Sequence, residues 1–227
     1  MRIAAKWLFI ICLPVLLLTA SIAVTVNSLW LYEYGARKYG VSEELAATGL
    51  KLSDSELAGV YAGLISYFNS GEEDVHITVV KEDKPFDLFT REEVIHFRDV
   101  KGLIWLDYWV LLGTLVYALA YVGLNIFLWR DRRRLAWGLV GGSVFTLAVM
   151  LALVLLDTFQ GFGQLWHQFH LVFFSNLFWS APGYMLRLFN QGFFYDAVIF
   201  GAALVVAGAL ILGGVGWWYL RRIGRAQ

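Results

Sequence analysis

Four apolar runs dominate the chain, over residues 1–30, 103–129, 135–156 and 197–220, with the first becoming unbroken from Trp7. Each is long enough to cross a hydrocarbon layer about 30 Å thick, which takes roughly 20 apolar residues in a helix. The runs are apolar on every side and lack the period-two alternation of a barrel strand. They are therefore expected as helices, which satisfy their own backbone hydrogen bonds. Between them lie a polar stretch at 31–102, a basic turn at 130–134, an aromatic stretch at 157–196 and a basic tail at 221–227.

Within residues 31–102, Ser42-Glu-Glu-Leu-Ala-Ala and Ser53-Asp-Ser-Glu56 read as helix starts, the second with capping-box spacing. From there Leu57, Val60, Tyr61, Leu64, Ile65 and Phe68 recur at helical period, and Asn69-Ser-Gly71 closes the helix. The β-branched stretch from Val75 to Val80 predicts a short strand. A turn over 81–85 follows, and 86–89 would return as its partner. Thr90-Arg-Glu-Glu93 is a second capping box, and it predicts a helix from Arg91 running straight into the second span. About seventy residues with this little apolar content make a marginal free domain, so this cap is expected to rest on helix ends and lipid headgroups. In the aromatic stretch, 164–179 predicts a helix lying in the interface, broken afterwards by Ala181-Pro-Gly183. The expected fold is an all-α membrane protein: four transmembrane helices, a small α+β extracytoplasmic cap, and an interfacial helix between spans three and four.

Composition sharpens this picture. A hydrophobic content of 59% excludes an ordinary soluble domain. With four spans, three basic clusters fall on one side: Arg2 with Lys6, Arg130 with Arg132 to Arg134, and Arg221, Arg222 with Arg225. The positive-inside bias makes that side cytoplasmic, with both termini inside and the cap and aromatic stretch outside. The formal net charge of zero thus hides an acidic outer cap and basic inner edges. No basic face is available for nucleic acid, which is excluded as a partner. Arg2 and Lys6 resemble the start of a signal peptide, but the apolar run extends beyond the usual length, so a retained anchor is expected. Cys12 is the only cysteine; it forms no internal disulfide and reads as a small buried apolar residue.

The candidate chemistry sits in two histidine-bearing stretches on the outer side. Glu93, His96 and Asp99 are spaced i, i+3, i+6 and share one side of their helix. A carboxylate one turn from an imidazole can fix its tautomer and raise its basicity, although the same spacing also suits a solvated charged face. His167 and His170 share a face of the interfacial helix, and periodicity leaves open which one meets the cap. The surrounding Phe, Trp and Tyr include an aromatic belt, yet there are more Phe residues than a belt needs. Two rival readings stand beside acid–base catalysis. His96, His167, His170 and Glu93 could hold zinc in a metal-dependent intramembrane hydrolase. However, Glu92-Glu93 and Arg98 miss the Glu-Glu-x-x-x-Arg spacing of membrane CAAX-type proteases by one residue. A non-catalytic scaffold or transporter subunit is the other, although the spans carry almost no ionisable residues for a conduction path.

Two motifs carry a family resemblance: Glu93-Val-Ile-His96-Phe-Arg-Asp99-Val-Lys101, and Phe169-His170 followed by Phe174, Asn176, Trp179, Pro182 and the pair Phe193-Phe194. Together with the four-span plan they resemble the bacterial integral membrane family that includes the lipoprotein intramolecular transacylases. The chain departs from the family pattern at Ala181, near Tyr184 and at Asn190, which bears on substrate positioning. The resemblance implies a bacterial cell-membrane acyltransferase acting on diacylglyceryl-modified lipoproteins among membrane lipids, with no cofactor or metal; a monomer is expected. It would move the sn-2 acyl chain to the α-amine of the N-terminal cysteine, giving the lyso form. His96 and His170 become the expected catalytic pair, supported by Glu93, Asp99 and Asn176, with Phe169, Phe174 and Trp179 shaping the substrate site. No serine or cysteine nucleophile is needed. His76 and His167 are expected to be structural or solvated.

Overall fold

The computed structural model describes residues 2–225. In chain order the elements are α1 (Arg2–Val26), α2 (Leu29–Lys38), α3 (Val41–Ala46), α4 (Asp54–Phe68), β1 (Thr78–Lys81), β2 (Lys84–Asp87) and α5 (Arg91–Gly123). A π-helical turn (Leu124–Leu128) extends α5, and α6 (Arg132–Gln160), α7 (Phe162–Phe173), α8 (Met185–Leu188) and α9 (Gln191–Gly224) follow. Among the described residues, α1, α5 with its π turn, α6 and α9 are the four helices long and apolar enough to cross a membrane. The protein is a multi-pass membrane protein.

The chain forms two compact units. The first comprises Met1–Val24, Leu106–Gln160 and Phe200–Gln227. Here the Phe9 ring of α1 stacks on Tyr121 of α5 at 4.5 Å, with Leu13 and Ala118 buried beside them. Tyr117 donates its hydroxyl proton to the Ala5 carbonyl at 2.8 Å. Gly142 of α6 permits close packing on α1, since a Cβ there would stand 2.7 Å from a Leu13 methyl. Large apolar side chains such as Trp109, Leu119 and Ile211 are exposed. Helices with an apolar outside belong in lipid. Cys12 is half-exposed rather than buried, with its thiol 3.8 Å from the Thr114 carbonyl.

The second unit comprises Thr25–Trp105 and Gly161–Ile199. The first apolar run does not continue as one helix to residue 30. It breaks at Asn27-Ser28, and α2 starts anew, burying Leu31, Tyr32 and Ala36. In α4 the predicted capping box is present: Glu56 N–H donates to the Ser53 hydroxyl at 3.3 Å and Ser53 N–H donates to the Glu56 carboxylate at 2.8 Å. Such caps stabilise a helix by about 1 kcal/mol. The predicted apolar positions of α4 are buried except Ile65, which is half-buried. Tyr61 from this face packs on Tyr32 and Phe189, and its hydroxyl donates to the Leu188 carbonyl at 3.2 Å.

The hairpin is tighter than expected. Its turn is only Glu82-Asp83, both left-handed at φ 52° and 61°, as a two-residue turn requires. Antiparallel pairing then places Pro85 opposite Val80. Proline is acceptable there because this two-stranded sheet consists of edges. The interfacial helix is shorter than 164–179: it stops at Phe173, and Phe174 is extended at φ −119°, ψ 132°. The Asn176 side chain then accepts the Phe178 N–H at 3.0 Å, an Asx turn that competes with helix continuation. Helix α9 begins before residue 197 because Asn190 caps it, its side chain accepting the Phe193 N–H at 2.9 Å.

Candidate active site

One face of α5 and the turn after α7, both in the second unit, build the site. The second capping box starts α5 as predicted, with Glu93 N–H donating to the Thr90 hydroxyl at 3.3 Å and Thr90 N–H to the Glu93 carboxylate at 2.8 Å. Phase thus set, Glu93, His96 and Asp99 point the same way. Glu93 is fully buried, and its second oxygen accepts the Met185 N–H at 2.6 Å. One carboxylate therefore serves two backbone donors, one at the start of α5 and one at the start of α8. Gly183 is required beside it, because a Cβ there would lie 2.2 Å from the Glu93 carboxylate. Two turns along α5, Asp99 accepts the Asn176 amide N–H at 2.9 Å.

His96 lies between these two ties and is buried, as is His170 on α7. The imidazole rings face each other with centroids 6.2 Å apart and planes at 27°. That spacing is about twice a hydrogen-bond length, so each ring can address one atom of a group held between them. Phe174 closes one side, 4.8 Å from His96 and 5.4 Å from His170. Trp179 and Trp166 each pack 4.7 Å from His170, and Phe169 lies 5.5 Å away. All the expected site residues are thereby gathered: Glu93, His96, Asp99, Phe169, His170, Phe174, Asn176 and Trp179.

The hydrogen bonds set protonation states. His170 Nδ1 lies 2.7 Å from the Trp166 carbonyl oxygen. A carbonyl only accepts, so Nδ1 carries the proton and Nε2 presents a lone pair. The role of Trp166 was not legible in the sequence, although a carbonyl four residues before a helical histidine is within reach of it. Among the described residues, His96 Nδ1 and Trp179 Nε1 are buried without a protein partner. Such atoms are uncommon in folded proteins and call for an explanation. His96 precedes the apolar stretch of α5, and burial, with His170 nearby, lowers its pKa to about 4 against a small opposing pull from Asp99. Burial also lowers His170, opposed by the Trp166 carbonyl and aided by His167. Both imidazoles are neutral at pH 7.

The remaining histidines stand apart from this chemistry. His76 is exposed, and His167 is exposed with its ring 5.4 Å from Trp179. Lys101 of the first motif does not line the site; its ammonium donates to the Glu72 carbonyl at 2.6 Å and lies 4.2 Å over the Tyr67 ring. Among the described residues, no three His, Cys, Asp or Glu side chains gather to hold a metal ion.

Comparison with solved structures gives the same fold along the whole chain. The lipoprotein intramolecular transacylase Lit from Bacillus cereus superposes with a TM-score of 0.82 at 20% identity, covering 100% of this chain and 99% of that one. Two structures of the same protein, with one histidine changed to arginine or to alanine, give TM-scores of 0.79 and 0.78 at 18% identity. They cover 100% of this chain and 95% and 96% of theirs. No curated protein matches the sequence. The family model described as "Lipoprotein intramolecular transacylase Lit" matches residues 7–194, and the chain belongs to that family of membrane acyltransferases.

Proposed function

We propose that this protein moves the sn-2 ester acyl chain of a diacylglyceryl-modified lipoprotein to the α-amine of its N-terminal cysteine, with His170 as base and His96 as partner to the ester oxygens. The observation that carries this reading is the pair of buried, neutral imidazoles 6.2 Å apart, one with its tautomer set by a backbone carbonyl. An α-amine with a pKa of about 7.7–8.0 needs only a mild base. Nε2 of His170 takes the amine proton as the nitrogen attacks the ester carbonyl. His96, neutral on entry, offers a ring N–H to the developing oxyanion, as a neutral imidazole can. The C–N bond forms, the C–O bond to the sn-2 oxygen breaks, and the proton lost by the amine ends on that oxygen through the imidazoles.

Phe169, Phe174 and Trp179 confine the reacting groups, and Trp179 Nε1 supplies a further buried donor. Holding amine and ester together can supply roughly 7–11 kcal/mol of the barrier lowering. Glu93, Asp99 and Asn176 hold the two histidine-bearing segments in register. The basic clusters orient both termini toward the cytoplasm and the site toward the outer face.

The test is expression in a bacterium making diacyl lipoproteins, with mass spectrometry of an N-terminal lipopeptide. The expected product has unchanged mass and one acyl chain on the cysteine nitrogen. A free amine would sink the reading. Activity should persist in chelator; loss restored by zinc would instead support a metal-dependent hydrolase.

A further inference from the structure

At the far end of α5 the chain makes a turn unlike the others. The π-helical stretch Leu124–Leu128 is closed by Trp129 N–H donating to the Leu124 carbonyl at 2.7 Å, and Asp131 N–H donates to the Asn125 carbonyl at 2.9 Å. Between them Arg130 is held at φ 49°, a left-handed conformation that costs a non-glycine residue of order 1 kcal/mol. The turn carries four arginines within five positions. Their surroundings differ. Arg134 is matched by Asp131 at 3.1 Å. Among the described residues, Arg130 and Arg132 make no ion pair, and Asp131, the nearest acid in sequence, is engaged by Arg134.

Arg130 and Arg132 line an open cavity of about 480 Å³ together with Ile126 and Phe127. Phe127 is 78% exposed. The cavity thus joins two unmatched cations to uncovered apolar side chains, at the end of a helix that crosses a membrane.

We infer that this cavity binds an anionic phospholipid, its phosphate on Arg130 and Arg132 and the start of an acyl chain against Phe127 and Ile126. Guanidinium groups pair with phosphate oxygens through fixed forks of N–H donors, and among the described residues neither arginine pairs with another anion. The apolar wall selects an amphiphile over a free ion. A general basic edge would serve orientation alone and would not distinguish Arg132 from Arg133, which lies outside the lining. Basic pockets at the ends of membrane helices are suited to anionic headgroups.

The test uses the purified full-length protein in phosphatidylcholine nanodiscs titrated with dioleoyl phosphatidylglycerol, with retained lipid counted by native mass spectrometry. Arg130→Gly keeps the left-handed turn accessible while deleting the guanidinium, and Arg132→Gln alters only an exposed side chain. Each should weaken retention roughly tenfold or more, the value of direct hydrogen bonds to a charged group. Arg133→Gln removes the same charge from the same turn and should cost no more than about fivefold, the value of one charge near an anionic surface. Equal loss in Arg133→Gln would overturn the proposal, as would equal retention of phosphatidylcholine. Excess inorganic phosphate should leave the lipid in place; displacement by phosphate alone would overturn the assignment to a lipid.

Discussion

Asn176 donates its amide N–H to the Asp99 carboxylate at 2.9 Å while its own oxygen accepts from Phe178 N–H, so the amide is used in both directions. Neither an aspartate nor an alanine can reproduce this. Asn176→Asp sets two carboxylates against each other and should cost more than Asn176→Ala. The expected order of acyl-transfer rates is parent, then alanine, then aspartate, with losses of roughly tenfold and a hundredfold, in line with about 1–3 kcal/mol for unsatisfied or repelling polar groups. Equal rates for the two variants would show that the tie to Asp99 does not position the site.

His96→Ala and His170→Ala should each reduce acyl transfer by about 10²–10⁴-fold, the usual range for a positioned acid or base. Thermal stability in detergent should fall far less than activity does, because helices α5 and α7 keep their other contacts. Full activity in both variants would support the scaffold reading instead.

Gly183→Ala places a methyl group 2.2 Å from the buried Glu93 carboxylate. Something must move, and the backbone bond from Met185 is the strained neighbour. A loss of about 1–3 kcal/mol is expected, as for overpacked interiors. Thermal unfolding checks this, and Glu93→Ala/Gly183→Ala should be less than additive because both changes act on one contact.

Acid should act on stability through His96. Its folded pKa of about 4 lies below the ordinary value of 6.5, so the unfolded chain takes up the proton first. The contribution of a neutral His96 is fully present above pH 6.5 and is lost as pH falls from 6.5 towards 4, by up to about 3 kcal/mol. His96→Leu should flatten the difference in melting temperature between pH 7 and pH 5; an unchanged difference would remove His96 as its source. The reaction rate, by contrast, should rise with the substrate amine to about pH 8, because burial lowers the pKa of His170 and favours its free-base form over that rise.

Much of this was legible because it rests on local rules. The spans follow from apolar length, and both capping boxes follow from Ser53 with Glu56 and Thr90 with Glu93. The pairing of His96 with His170 came through the family resemblance, since spacing left His167 equally eligible. What escaped the sequence depends on contacts distant along the chain. Spacing makes Glu93 a neighbour of His96 on its helix, but its oxygens go to backbone N–H groups at Thr90 and Met185. The end of α7 at Phe173 is set by a side-chain turn at Asn176, which helical periodicity does not register. The early start of α9 likewise depends on Asn190, a cap hidden among aromatic residues.

The two ties on α5 divide the turn after α7 into anchors and slack. Glu93 and Asp99 are about 9 Å apart along their helix, at roughly 1.5 Å of rise per residue. The chain from Asn176 to Met185 is far longer than that gap, so it must loop out between its moorings. Drift in sequence is therefore costly at its ends and, within the loop, at Gly183 and Trp179, which touch Glu93 and His170. Ala181 and Tyr184 fall inside that interval, and Tyr184 turns to the hairpin, its ring 5.7 Å from Phe86 and its hydroxyl 3.1 Å from the Lys81 ammonium, so the slack in the loop is taken up by the cap and not by the histidines.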